Sequence, residues 1–234
     1  MKIKFRPWLP AQNNLLLYPK PALSSLPDWY KKKKPFMNEE KKQKVFSNKE
    51  QNVTVKWCNP FGDALGAGYF IFLENDVQVR LENNKQIFVW TNGGNNFISQ
   101  HTPSQISDEL IPDNYSEQPW KFKNFWGIET PAGYSTMFTH PLNRTELPFI
   151  TLTGVVDTDG YRQPVHLPFI IRKDFEGIIE AGTPIAQIIP FKRESWQSEI
   201  LDFDADKVAE IEAGFRRKIF RAYKMLYWKR KEYK

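Results

Sequence analysis

The chain has 234 residues, 41% of them apolar and 15% aromatic, which is enough to build a core and excludes global disorder. Its single cysteine, Cys58, excludes an intrachain disulfide framework and a cysteine-based zinc knuckle; between Trp57 and Pro60 it reads as a small buried hydrophobe. Net charge is +6, yet residues 216–234 hold nine Lys and Arg against one Glu, so the remainder is near neutral and the basicity belongs to an appendage.

The start, MKIKFRPWLP, lacks the apolar run of a secretory signal, and no stretch approaches the ~20 apolar residues of a membrane span. A soluble intracellular protein without membrane contact is expected. Residues 1–50 read as an extended arm and charged connector. Prolines disfavour helix before them, and Leu23, Leu26, Trp29 and Tyr30 are its apolar anchors. The run Lys31 to Lys34 reads as solvated surface or, alternatively, as a phosphate or nucleic-acid contact.

Residues 51–195 read as the core. NVTVKW, AGYFIFL, DVQVRLE, QIFVW, WGIET, GYSTMFTHP, LPFITLTGVV, PVHLPFII, EGIIE and IAQIIPF are short, β-branched or aromatic, and separated by turn residues. Strands at this spacing, with no helical pattern among them, predict an all-β sandwich or barrel. Residues 92–120 lack a clear period and read as a long functional or interfacial loop. Residues 196–234 read as a basic amphipathic helix. Asp204 or Asp206 caps it, and Val208, Ile211, Phe215, Ile219, Ala222 and Leu226 form its apolar stripe.

Within the core, GVVDTDGYRQPV places Asp157 and Asp159 at the tip of what reads as a β-hairpin. A structural reading has the acids making Asx-type bonds, Gly160 at positive φ and Arg162 neutralising either acid. The other reading is a ligand pocket. His101, His140 and His166 show no paired spacing, so no metal site is predicted. Neither a Gly-rich phosphate loop nor a Ser or Cys nucleophile signature is present. In the tail, Arg216, Arg217, Arg221, Lys224, Lys229 and Arg230 interleave with Tyr223, Tyr227, Trp228 and Tyr233. That pattern suits weak nucleic-acid contact through backbone and stacking, and equally a helix whose rings pack and whose lysines are solvated.

The succession of DALGAGYFIFLENDVQV, TPAGYSTMFTHPLNRTELP, GVVDTDGYRQPVHLPF and FEGIIEAGTPIAQIIPF resembles the dUTPase and dCTP-deaminase superfamily over residues 63–191. The resemblance implies a β-clip body, with Asp157 as the catalytic residue that activates water and Tyr161 beneath a deoxyribose. It further implies Asp159, Asn143, Arg144 and Gln187 around a nucleotide, and Mg²⁺ only if hydrolysis is retained. The sequence departs from the family pattern at four places. Phe70 stands where the family's first motif has Asp. HPLNRTELP replaces the phosphate-cradling motif. Gly160 is an extra residue before Tyr161. The Gly-rich closing tail gives way to the basic helix. These departures predict a non-catalytic protein.

A second resemblance covers nearly the whole chain. PALSSLPDWYKK, VKWCNPFGDALGAGYFI, SQHTPSQI, GYSTMFTHPLNR and GTPIAQIIPFKRESW are similar to a family of uncharacterised proteins of marine tailed phages, cyanophages especially, and of some bacteria. Together the two imply a phage-encoded, self-associating protein, a homotrimer, either a virion component touching other virion proteins or a binding module. It is expected in the host cytoplasm or incorporated in the virion.

Overall fold

The computed structural model describes residues 1–8, 17–38, 52–83, 85–90, 97–106, 110–217 and 222–234. Their contacts divide into two units, one of Met1–Ser25, Ala67–Arg193 and Tyr233–Lys234, the other of Leu26–Gly66 and Glu194–Glu232.

The first unit is mainly β. Its strands are β1 (Lys4–Pro7), β2 (Lys20–Pro21), β3 (Tyr69–Phe72), β4 (Val77–Glu82), β5 (Lys85–Trp90), β6 (Ile98–Gln100), β7 (Trp120–Phe122), β8 (Trp126–Glu129), β9 (Tyr134–Thr139), β10 (Phe149–Thr151), β11 (Gly154–Val156), β12 (Leu167–Ile171), β13 (Gly177–Ile179) and β14 (Pro184–Lys192). They form four antiparallel sheets in the orders β1-β8, β10-β12-β7-β6, β11-β9-β14-β3-β2 and β13-β4-β5. Among the described residues none of these closes into a barrel.

Alternation explains the layers. Val77, Val79, Phe88 and Ile179 turn inward from the β13-β4-β5 sheet, while Arg80, Ile87 and Ile178 face out. In the main core Phe122 stacks on Phe169 at 3.7 Å, and Phe149 meets both rings edge-on. All three are fully buried, each worth about 1.5–3 kcal/mol of transfer free energy. β3 is buried on both faces. Tyr69 and Ile71 enter the main core; Phe70 and Phe72 join Ala22 in a second cluster. Gly68 enters β3 at φ +64°, and a Cβ there would lie 1.9 Å from the Ile188 carbonyl oxygen, so only glycine lets β14 approach.

The N-terminal arm begins extended but lies on its own body. β1 pairs with β8, Phe5 meets Tyr69 edge-on at 5.2 Å, and Lys4 and Arg6 pair with Glu129. Leu23, expected as an anchor, is 55% exposed, whereas Tyr30 is buried. The long 92–120 stretch contains, among its described residues, β6, a 3-10 turn at Pro103–Gln105 and a bridge from Tyr115 to Arg172.

The second unit holds α1 (Asp28–Lys32), α2 (Asn59–Leu65), α3 (Ala205–Arg217) and α4 (Ala222–Leu226). NVTVKW is not a strand. Val53 makes one bridge with Phe36, and Val55–Trp57 form a 3-10 turn, because Thr54 caps the Lys56 amide and Asn59-Pro60 start α2 at once. Cys58 is exposed rather than buried, since it sits at that N-cap. Asp204 caps α3 by accepting from the Lys207 amide at 2.9 Å. Of the helix expected over 196–234, the described residues show helix at Ala205–Arg217 and Ala222–Leu226, while 196–204 and 228–234 are not helical. The exit of α4 is fixed by Trp228, whose indole donates to Asp63 at 2.9 Å, beside Lys231 at 2.6 Å. Among the described residues no helix is long and apolar enough to cross a membrane.

Candidate functional site

β11 does not turn back into β12. It pairs with β9, and the chain then crosses to a different sheet, where β12 lies between β10 and β7. The expected hairpin is therefore a strand followed by a turn, closed by the Gly160 and Tyr161 amides donating to the Asp157 carbonyl at 3.1 and 2.8 Å. Thr158 points inward, 1% exposed, and shares hydroxyl bonds of 2.7 Å with Thr130 and Thr136. With Thr158 held inward, Asp157 and Asp159 emerge on the same side.

They emerge beside β9, the strand between β11 and β14. Register pairs Val156 with Thr136 and Lys192 with Tyr134, so the residues after β11 and β14 meet at the start of β9. Arg193, the first residue past β14, extends the ladder by donating its amide to the Gly133 carbonyl at 2.8 Å. Its guanidinium lies between the two acids. It bonds Asp157 at 3.2 Å, both oxygens of Asp159, the Tyr134 carbonyl at 2.9 Å and the Ser135 hydroxyl at 3.1 Å. Ser135 also donates to Asp157 at 2.6 Å, and the Gly133 amide to Asp159 at 2.8 Å. The Arg193 bond and then the Gly133 amide hold the Asp159 carboxyl down at about 2. Bonding to Asp159 raises Arg193 in turn.

The acids' partner is thus Arg193 and not Arg162. Glu129's carboxyl is lowered first by the Arg6 bond, with Lys4 and Arg162 adding to the positive field. In FKRESW Arg193 lies 36 and 34 positions from the two acids, and only the pairing of β14 with β9 brings it across. The local signal was a lone Arg closing the last strand.

The residues expected around a nucleotide divide into two groups. Gln187 is fully buried on β14. It accepts from the Leu142 amide at 2.8 Å and donates to the Ala67 carbonyl at 2.6 Å, joining β3 to the turn after β9. In that turn Asn143 takes φ +59°, and Arg144 pairs with Glu146 while its carbonyl meets His140 at 3.3 Å. Burial lowers His140. Gln187 is in register with Thr139, at the opposite end of β9 from Tyr134, so within one chain this group and the Arg193 clamp are about 15 Å apart along the strand. Phe70, which the resemblance sets where the first motif has Asp, is 1% exposed in the small core cluster.

Tyr161 is 49% exposed and lines a cleft of about 580 Å³ with Trp8, Lys123, Gln163 and His166. Burial lowers His166, and Lys121 and Lys123 add to that effect. Among the described residues no group of three His, Cys, Asp or Glu is placed to hold a metal ion.

Of the basic residues, Arg216 and Arg217 end α3, and their side chains lie outside the described residues, as does all of Arg221. Lys224 on α4 lies 5.5 Å from the Trp228 ring. Lys229 is exposed just beyond it, and Arg230 pairs with Glu232 at 3.1 Å.

No protein-family model matches the chain, and comparison with curated proteins gives no match. Among solved structures the chain is similar to viral and phage dUTPases. The native EIAV dUTPase is 12% identical, with 58% of this chain and 83% of that one covered at a TM-score of 0.31. A point mutant of the dUTPase of phage phi11 of S. aureus is 14% identical over 59% and 85%, at 0.32. The dUTPase of Staphylococcus bacteriophage 80alpha is 14% identical over 55% and 89%, at 0.27.

Proposed function

We propose that this is a phage-encoded, self-associating protein on a dUTPase-like β body without catalysis, acting as a virion component or binding module, with a homotrimer as its assembly. The single observation carrying the non-catalytic part of this reading is the Arg193 clamp. A general base must be aimed at the proton it takes. Asp157, the residue the resemblance would make catalytic, is instead tied through Oδ1 to Ser135 and Arg193 of its own chain, as in a structural turn clamp. The buried Phe70 supports the same reading, since an aromatic ring in a core cannot hold a hydrated cation. The test is release of pyrophosphate from dUTP with Mg²⁺. The expected rate is that of a protein-free blank; turnover abolished by Asp157→Asn would overturn the reading.

The Tyr161 cleft favours a second reading, a nucleotide-binding protein or an altered nucleotide hydrolase, for which alone Mg²⁺ is needed. Its volume suits a small molecule, and Trp8 and Tyr161 offer ring faces beside Lys123. Titration with dUMP and dUTP separates the two readings. Saturable binding weakened at least tenfold by Tyr161→Ala supports the second; no saturation supports the first.

A further inference from the structure

The end of the chain carries two opposite charge blocks. Residues 194–212 contain seven Asp and Glu against one Lys; residues 216–234 contain nine Lys and Arg against one Glu. Glu194 to Asp204 form no helix or strand and hold four acids and no base. Four large apolar side chains stand out from this segment: Trp196 is 87% exposed, Ile200 99%, Leu201 72% and Phe203 83%. Together they offer on the order of 600 Å² of apolar surface. That is the top of the roughly 300–600 Å² range of a typical monomer's largest apolar patch, and it approaches the roughly 800 Å² each partner gives to a standard interface.

The complementary surface is in the same unit. α4 and the residues after it expose Met225 at 63%, Tyr227 at 49%, Tyr223 and Leu226 at 40%, with Lys224 and Lys229 among them. One block is acidic and apolar, the other basic and apolar.

We propose that the segment 194–204 of one copy docks on the basic face of α4 and its following residues in a second copy. This rests on the self-association reading and names its interface. The contact is heterologous, so each copy gives one face and receives the other. Such a contact closes a ring or grows a filament, and a three-membered ring is the proposed trimer. Apolar burial supplies the attraction, and the charge blocks set the direction and exclude the like-with-like pairing.

The test uses full-length chains. One variant carries Trp196→Ser with Phe203→Ser, the other Lys224→Glu with Met225→Ser; these side chains are exposed, and circular dichroism and thermal melts confirm that both fold. By light scattering, the unaltered chain is expected above its 27.6 kDa monomer mass at micromolar concentration. Each variant alone should require at least tenfold more protein to associate. An equimolar mixture should stop at a dimer, because each copy retains one intact and complementary face. The association should weaken from about 0.05 M to about 0.5 M salt. An unaltered chain that is monomeric overturns the self-association reading itself. An assembly that both variants preserve, or a mixture that stays monomeric, overturns only the interface.

Discussion

Arg193 answers why two acids sit at the Thr158 turn: their spacing of two residues lets both reach one guanidinium. Removing it leaves Asp157 and Asp159 facing each other at the start of β9. Arg193→Ala should therefore lower the melting temperature more than Lys192→Ala at neutral pH, measured by calorimetry. Because the folded Asp159 is held near 2, below its ordinary 3.8, its contribution is present above pH 3.8 and lost as pH falls toward 2. Asp159→Asn should flatten the melting profile in that window. Glu74 works in the opposite sense. It accepts from the Leu17 amide at 2.6 Å, and burial pushes its carboxyl up to about 7 despite that bond and one from Trp126. Its contribution is present below pH 4.5 and lost as pH rises through about 7. Glu74→Gln should stabilise the protein at pH 8 relative to pH 4.5, by less than about 3 kcal/mol once solvent screening is allowed for. His140 and His166, lowered mainly by burial, oppose this trend in both proteins, so the difference between the two profiles isolates Glu74.

Elements were legible where a period persisted. The runs AGYFIFL, DVQVRLE, QIFVW, GYSTMFTHP and IAQIIPF correspond to β3, β4, β5, β9 and β14; alternation holds in β4 and gives way to continuous burial in β3 and the first half of β14, which are covered on both faces. NVTVKW has strand composition but becomes a 3-10 turn, since the cap at Thr54 and Pro60 in the first turn of α2 outweigh β propensity. The Asp157 turn looked like a hairpin because two apolar runs flank it. Nothing local says that the second run belongs to another sheet. The close approach of β3 and β14 gives an element-scale prediction. Gly68→Ala forces a Cβ into the Ile188 carbonyl at positive φ and should destabilise by on the order of 2–4 kcal/mol in urea unfolding. Gly133→Ala, also at positive φ but with open space around it, should cost on the order of 1 kcal/mol.

At the scale of the whole molecule the charge is unevenly placed, and that has a consequence apart from assembly. A block with nine bases in nineteen residues attracts polyanions. The full chain should retain single-stranded DNA weakly at low salt and release it near physiological salt, as counterion release requires. Replacing Lys224, Lys229 and Arg230 together by alanine should lower the slope of log affinity against log salt by roughly 2. Tight, sequence-selective binding at physiological salt would instead make nucleic-acid recognition the leading function.

The sequence by itself determined the β character of the first unit, most strand positions, a helix start at Asp204 or Asp206, and the acidic and basic blocks. These are local properties, written in period, composition and spacing. Tertiary structure alone decided that β11 pairs with β9 rather than β12, that Arg193 holds Asp157 and Asp159, and that Gln187 and Arg144 lie at the other end of β9. Each depends on which strands become neighbours, and that follows from burying side chains far apart in the chain within one core. A carboxylate's chemistry is set by what stands beside it, and here its partner arrives by strand pairing from more than thirty residues away.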